Sequence, residues 1–148
     1  MSEQPFDDQN GRDKEEIELG TELTPKFNSA GLIPCITVDN STMEVLMFAW
    51  MNREALQLTL ETGKAAYYSR SRQKLWIKGE SSGLEQIVEQ VLVDCDQDVI
   101  QLRVKVTGEG TCHNGYRSCF YRAVKKKSHK VLEYVIDDRS FDPNKIYK

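Results

Sequence analysis

The chain has 148 residues, 39% hydrophobic and 29% charged, and its 20 Lys and Arg stand against 23 Asp and Glu for a formal net charge of -3. That length is enough for one domain whose core needs no covalent staple, and no apolar run approaches the roughly 20 residues of a membrane-spanning helix. Residues 1–20 hold seven acids against Arg12 and Lys14, a balance of -5, so the remainder carries +2, which is not the basic footprint of a nucleic-acid binder.

In chain order, residues 1–20 are polar and acidic, with Phe6, Ile17 and Leu19 as scattered apolar positions, and they read as a mobile arm ahead of a single domain over 21–148. The opening Met-Ser-Glu-Gln-Pro-Phe-Asp-Asp has neither the basic nor the apolar stretch of an export signal, so a cytoplasmic location is expected. Thiols stay reduced there, and Cys35, Cys95, Cys112 and Cys119 read as core, metal or catalytic residues before they read as disulfides. Residues 32–38 form a strand-length apolar run, Asp39-Asn40-Ser41-Thr42 is turn chemistry, and 44–51 is a second run, which predicts a β-hairpin. Asn52 as N-cap, Glu54 in the first turn and Gly63 as a left-handed stop bracket a helix whose buried stripe is Ala55, Leu56 and Leu60. A short strand over 65–69 and a basic stretch over 70–74 follow, and 75–83 reads as a loop. Val91, Val93 and Cys95 alternate on odd numbers and Ile100, Leu102, Val104 and Val106 on even ones, so a turn or bulge is required near Asp96-Gln97-Asp98. Beyond a loop over 112–119, Val131, Tyr134 and Ile136 alternate weakly, and Asp142-Pro143-Asn144 predicts a final turn. The expected fold class is α+β, predominantly β, with a mixed, strongly curved sheet and one main helix.

Three cysteines, Cys95, Cys112 and Cys119, lie in polar, turn-rich sequence where a packing role is hard to supply. Thiolates are soft donors suited to Zn²⁺, and three protein ligands leave a fourth position for water, the catalytic arrangement; a fourth ligand, His113 or His129, would instead close a structural site. Cys35, inside an apolar run, reads as a small core residue. Asp94, Asp96 and Asp98 recur every two residues, so in an extended chain Asp94 and Asp96 face one side and Cys95 the other. Carboxylate oxygens select a hard cation such as Mg²⁺, and a solvated acidic turn is the competing reading. An EF-hand fails, because Val99 and Lys105 stand where that loop needs Gly and Glu. Arg70, Arg72, Lys78, Ser81, Ser82, Arg117 and Ser118 supply the forks, ammonium and hydroxyls that hold phosphate, without a Walker or Rossmann fingerprint.

Gly31-Leu-Ile-Pro, Val45-Leu-Met-Phe-Ala-Trp-Met-Asn-Arg-Glu-Ala-Leu56, Tyr68-Ser-Arg-Ser-Arg72, Leu75-Trp-Ile-Lys-Gly-Glu-Ser-Ser-Gly83, Asp94-Cys-Asp-Gln-Asp98 and Cys112-His-Asn-Gly-Tyr-Arg-Ser-Cys-Phe-Tyr-Arg122 occur in unbroken order. Together, over residues 31–122, they resemble the phosphoribosyl-AMP cyclohydrolases of histidine biosynthesis. The resemblance implies hydrolytic opening of the adenine ring of N1-(5-phosphoribosyl)-AMP at the N1–C6 bond, giving the phosphoribosyl-formimino aminoimidazole carboxamide ribonucleotide. It also implies an intertwined homodimer with active sites at the subunit interface, in which Cys95 of one chain joins Cys112 and Cys119 of the other on Zn²⁺. Asp94, Asp96 and Asp98 would bind Mg²⁺, and His113 would be the catalytic group that moves a proton. A substrate with two phosphates needs two anion sites: Arg70, Arg72, Trp76, Lys78, Glu80, Ser81 and Ser82 are the candidates around one, Arg117 and Ser118 around the other. Some relatives carry a fused pyrophosphatase domain, for which the 26 residues after Arg122 are too few, so the single-function form is expected. The chain departs from the family at Asn114, a place often taken by Thr, and at Ile77, where polar residues are frequent. A zinc-stapled dimeric binding module without catalysis and a cysteine nucleophile at Cys112 are the readings of other classes; nucleic acid and membrane are not expected partners.

Overall fold

Alternating apolar positions generate the strands, and short-range caps and turns delimit them. The structure, a computed structural model, describes residues 6–108 and 110–146. β1 (Leu32–Asp39) and β2 (Val45–Asn52) form the predicted hairpin, with Leu32 opposite Asn52 and Thr37 opposite Met47. The Asp39 carboxylate closes the turn by accepting from the Ser41 and Thr42 N–H groups at 2.8 and 3.0 Å. α2 (Arg53–Thr62) starts where Asn52 accepts from the Ala55 N–H at 2.8 Å and stops at Gly63, whose φ of 72° ends the helical path. Ala55, Leu56 and Thr59 are its buried face, and Leu60 packs partly buried against the core. α1 (Lys14–Leu19) precedes these elements, capped by the Asp13 side chain.

β3 (Ala66–Ser69) pairs with β4 (Lys74–Ile77), Tyr67 standing opposite Trp76. The loop expected over 75–83 is therefore corrected: its first residues are strand. The Tyr67 and Trp76 rings, 5.0 Å between centroids, supply the cross-strand packing that the glycines and serines further on concealed. Only 78–83 is a loop; Gly79 has φ 88°, and a Cβ there would meet the Glu85 backbone at 2.3 Å. β5 (Gln86–Val93) and β6 (Ile100–Val106) are antiparallel, joined by the expected turn. The odd-numbered alternation holds from Val91 to Val93, opposite the buried Leu102 and Ile100, although Val93 at the strand end is exposed; a bulge between Val88 and Gln90 shifts the phase ahead of it, so Val88 and Val91 both pack on the core.

The strands make one mixed sheet, ordered β4-β3-β2-β1-β6-β5, in which β1 and β6 run parallel with Cys35 opposite Ile100. The sheet curls until β5 meets the segment leading into β3. Lys64 bridges Ile87, the Ala65 N–H donates to the Gln86 carbonyl at 3.0 Å, and the Val88 N–H donates to the Gly63 carbonyl at 2.8 Å. This half-barrel encloses Ile33, Cys35, Met51, Leu56, Ile100, Leu102 and Val104, all fully buried. A polar chain crosses that core: Thr37 Oγ1 bonds Tyr67 OH at 2.6 Å, Tyr67 OH donates to Gln86 Oε1 at 2.6 Å, and Gln86 Nε2 contacts Met47 Sδ at 3.3 Å.

β7 (Arg122–Lys125) and β8 (Ser128–Tyr134) form a separate antiparallel pair whose Val124, Leu132 and Tyr134 are exposed. The final turn expected at 142–144 opens α3 (Pro143–Ile146), because Pro143 suits a first helical position and Asp142 accepts from the Asn144 N–H at 2.9 Å. Residues 6–20, expected as part of a mobile arm, lie against the body. Phe6 is 4% exposed with the Arg53 guanidinium 4.9 Å from its ring centroid, and Arg12 pairs with Glu22 at 2.7 Å. One buried ring and a set of hydrogen bonds hold this segment, and composition registers neither. Residues 1–5 of the arm lie outside the described residues. Among the described residues no helix is long and apolar enough to cross a membrane.

Candidate active site

The residues read from sequence as functional fall into two groups, at opposite ends of the sheet. At the first, the segment 110–121 returns over the start of β2. The Cys119 N–H donates to the Leu46 carbonyl at 2.7 Å, and Ser118 Oγ donates to the Val45 carbonyl at 2.7 Å. Arg117 reaches both Glu44 oxygens, at 2.8 and 3.1 Å. The loop folds tightly because Gly115 takes φ 93°, where a Cβ would lie 2.4 Å from the Phe141 carbonyl oxygen, and because Tyr116 stacks on Tyr121 at 4.0 Å. Cys112 and Cys119 lie near enough for each other's charge to be felt, and the Asn114 N–H points at Cys112 Sγ from 3.5 Å.

Lys78, only 9% exposed at the end of β4, donates from Nζ to the Thr111 carbonyl at 2.7 Å and has no carboxylate partner among the described residues. Burial lowers its pKa, while Cys119 and then Cys112 work against that shift. Desolvation pushes the Cys119 thiol up to about 12 although part of the residue reaches solvent; Cys112 adds to the rise and Lys78 opposes it. A lysine read as a phosphate ligand is thus seated among thiols. Two adjacent sulfurs suit a soft divalent metal and the buried ammonium balances thiolate charge, but two sulfurs do not complete a zinc site. His113 is exposed on the same loop, next to Cys112. His129, the alternative fourth ligand, is exposed on β8.

At the second end, the turn between β5 and β6 carries the carboxylates. Asp94 Oδ1 accepts from the Asp98 and Val99 N–H groups at 2.9 and 3.1 Å, and Gln97 takes φ 58° to close the turn. Oxygens of Asp94, Asp96 and Asp98 all lie within 4.8 Å of one another. Hydrogen bonding to Asp96 and then Asp94 pushes Asp98 up to about 6, and the same contact with Asp98 holds Asp96 below the usual carboxylate range. Three like charges so close, exposed to water, fit a hard cation with oxygen ligands. Cys95 is exposed within this turn. A hollow of about 300 Å³ lined by Phe27, Pro34 and Trp50 adjoins Asp98, and Arg70 lies over the Trp50 ring at 5.0 Å.

The β1 register measures the separation. Leu46, which holds Cys119, lies level with Thr37 and Val38, whereas Asp98 precedes Ile100, which faces Cys35. Roughly four to five residue steps intervene, or about 15 Å along the strands. Of the anion-holding candidates, Arg70 and Arg72 sit at the β3–β4 turn, at the same end of the sheet as the β1–β2 turn, with Arg70 reaching back over Trp50; Glu80, Ser81 and Ser82 follow Lys78, which is seated on the thiol side. Arg117 and Ser118 already have partners within the chain, and Trp76 packs on Tyr67. Sequence reasoning missed Glu44, Thr111 and Trp50 as neighbours of the site. Only Trp50, an aromatic at an intermediate position of β2, carried a readable signal; a carbonyl acceptor such as that of Thr111 has none.

The chain is thus a β-rich half-barrel with thiols and carboxylates at its two ends, and the proteins it is similar to give it a class. The family model described as phosphoribosyl-AMP cyclohydrolase matches residues 47–121, a span that holds both groups. A phosphoribosyl-AMP cyclohydrolase of Sinorhizobium fredii is 51% identical over 138 residues, covering 92% of this chain and 91% of the relative. Namesakes from Rhodopseudomonas palustris strain BisB5 and Chlorobium limicola are 52% and 50% identical over 135 residues, covering 90% and 91% of this chain and 91% and 96% of the relatives. The chain belongs to the phosphoribosyl-AMP cyclohydrolase family and is an enzyme of the hydrolase class.

Proposed function

We propose that this enzyme opens the adenine ring of N1-(5-phosphoribosyl)-AMP by adding water across the N1–C6 bond, in histidine biosynthesis, and that it works in the cytoplasm as a homodimer. The observation that carries the composite site is the separation of Cys95 from Cys112 and Cys119 along one sheet. A zinc–sulfur bond is ~2.3 Å, so the three thiols of one chain do not converge on one ion. Cys95 of one copy with Cys112 and Cys119 of a second copy would hold Zn²⁺, and Asp94, Asp96 and Asp98 would hold Mg²⁺. When bound, Zn²⁺ acts as a Lewis acid that makes water nucleophilic near neutral pH, and Mg²⁺ offsets phosphate charge.

The chain's own groups do the rest. Three thiolates bring one negative charge more than zinc neutralises, and the buried Lys78 ammonium beside two of them offsets it. His113, exposed one residue after Cys112, takes a proton from the attacking water and delivers one to N1, the leaving nitrogen. Because Glu44 fills the Arg117 fork and Ser118 donates to β2, these two residues seat Cys119, and phosphate binding falls to Arg70, Arg72, Ser81 and Ser82. The test is ring opening of phosphoribosyl-AMP, followed by absorbance, on enzyme stripped with a chelator and resupplied with zinc in the presence of Mg²⁺. Turnover should vanish and return with zinc; a folded, zinc-loaded dimer without turnover would refute the reading.

A further inference from the structure

The carboxylate turn is tied to a part of the chain far from it in sequence. Gln97 stands between Asp96 and Asp98, yet it is 4% exposed, its side chain buried away from the cation-facing oxygens. Its amide oxygen accepts from the Thr24 N–H at 2.7 Å, and its amide nitrogen donates to the Ile17 carbonyl at 2.9 Å and the Glu22 carbonyl at 3.2 Å. Its own carbonyl accepts from the Lys26 N–H at 2.8 Å. One residue earlier, the Asp96 carbonyl accepts from Gln9 Nε2 at 2.9 Å, and that same nitrogen reaches the Thr24 carbonyl at 2.9 Å. Both protons and the oxygen of the Gln97 amide are therefore spent on the segment 17–24.

Two physical costs make this arrangement informative. A residue other than glycine at φ 58° is held in a sparsely populated region, and it stays there only when its surroundings over-determine it. Three carboxylates within 4.8 Å of one another also repel, and a free turn relieves that repulsion by splaying. Asp94 restrains the turn from inside by capping the Asp98 and Val99 amides; from outside, the restraint is the Gln97 amide.

We propose that Gln97 is a positioning residue for the cation site: anchored to residues 17–26, it fixes the direction in which Asp96 and Asp98 present their oxygens. The N-terminal segment thereby supports the carboxylate turn from behind. This rests on reading the three carboxylates as a Mg²⁺ site.

Gln97→Gly isolates the effect, because glycine keeps and eases the left-handed backbone while deleting the amide. Gln9→Ala, at a less buried position, removes the second tie and serves if the first variant folds poorly. MgCl₂ is titrated calorimetrically into the full-length protein, well below the unfolding temperature. The wild type should saturate, Gln97→Gly should bind Mg²⁺ about tenfold more weakly, and Gln9→Ala about threefold more weakly. Affinities within twofold of wild type in the folded variants would overturn the positioning role. A wild type that takes up no Mg²⁺ at millimolar concentrations would overturn the cation reading itself and this inference with it, so the two failures are told apart.

Discussion

If each zinc site draws Cys95 from one copy and Cys112 with Cys119 from the other, two inactive variants should repair each other. Cys95→Ala and Cys112→Ala homodimers each lack a ligand at both sites and should be inactive. Mixing them 1:1 in denaturant and refolding with zinc makes about half of the dimers mixed, by random pairing under two-fold symmetry. In a mixed dimer one site carries both substitutions and the other carries neither. One site in two, in half of the dimers, is about a quarter of wild-type activity. The about 15 Å between the two groups within one chain forbids any repair inside a single copy. Ring opening and zinc content are measured on the mixture and on each parent treated alike. A mixture no more active than its parents, or a fully active Cys95→Ala homodimer, would refute the composite site.

Tyr67→Phe deletes two buried 2.6 Å hydrogen bonds and strands Gln86 Oε1 and Thr37 Oγ1, so it should cost about 2–4 kcal/mol and lower the melting temperature by roughly 6–12 °C. Adding Gln86→Leu should recover part of that loss; a Tyr67→Phe melt within 2 °C or so of wild type would show that the network contributes little. Lys78→Met should weaken zinc binding about tenfold in chelator competition with little change in KM, and unchanged zinc affinity with a raised KM would return Lys78 to the phosphate. Burial pushes the Cys35 thiol up to about 12 from its ordinary 9.0, so it should resist alkylation at pH 8 in the folded chain while the exposed Cys95 reacts. Because the folded value is raised, this stabilising contribution is complete below pH 9 and is lost as pH rises toward 12. Urea unfolding at pH 8 and pH 10 should therefore show wild type losing about 1 kcal/mol more than Cys35→Ala, and identical losses would contradict the assignment.

Elements whose signals are local were legible in the sequence. Asp39 and Asn52 bond their own near neighbours, so the hairpin and α2 could be read from residue types alone. Strand β4 was not, because what makes it a strand is Tyr67 across the sheet, and the glycines beyond it pointed to a loop. Phe6 and Gln97 tie the acidic segment to the body through contacts more than 40 residues apart, to which composition is blind. At the candidate site, donor chemistry was legible and partners were not. Nothing in Arg117 announces that Glu44 fills its fork, and nothing in Lys78 that it lies among thiols.

The corner where β5 meets Gly63 and Lys64 bears on solubility. A row of unpaired strand amides at a sheet edge is a template for other chains, and an open six-stranded sheet has two such rows. Here the first residues of β5 spend that edge on the segment before β3, a bulge at Val88 and Gln90 bends the strand away from a flat template, and Glu89 adds a charge. The opposite edge, β4, is four residues long and begins with a lysine. On the six-stranded sheet, among the described residues, the edge of β5 left open is the short stretch from Val91 to Val93, so curling the sheet, besides enclosing the core, shortens the template it offers to fibrous association.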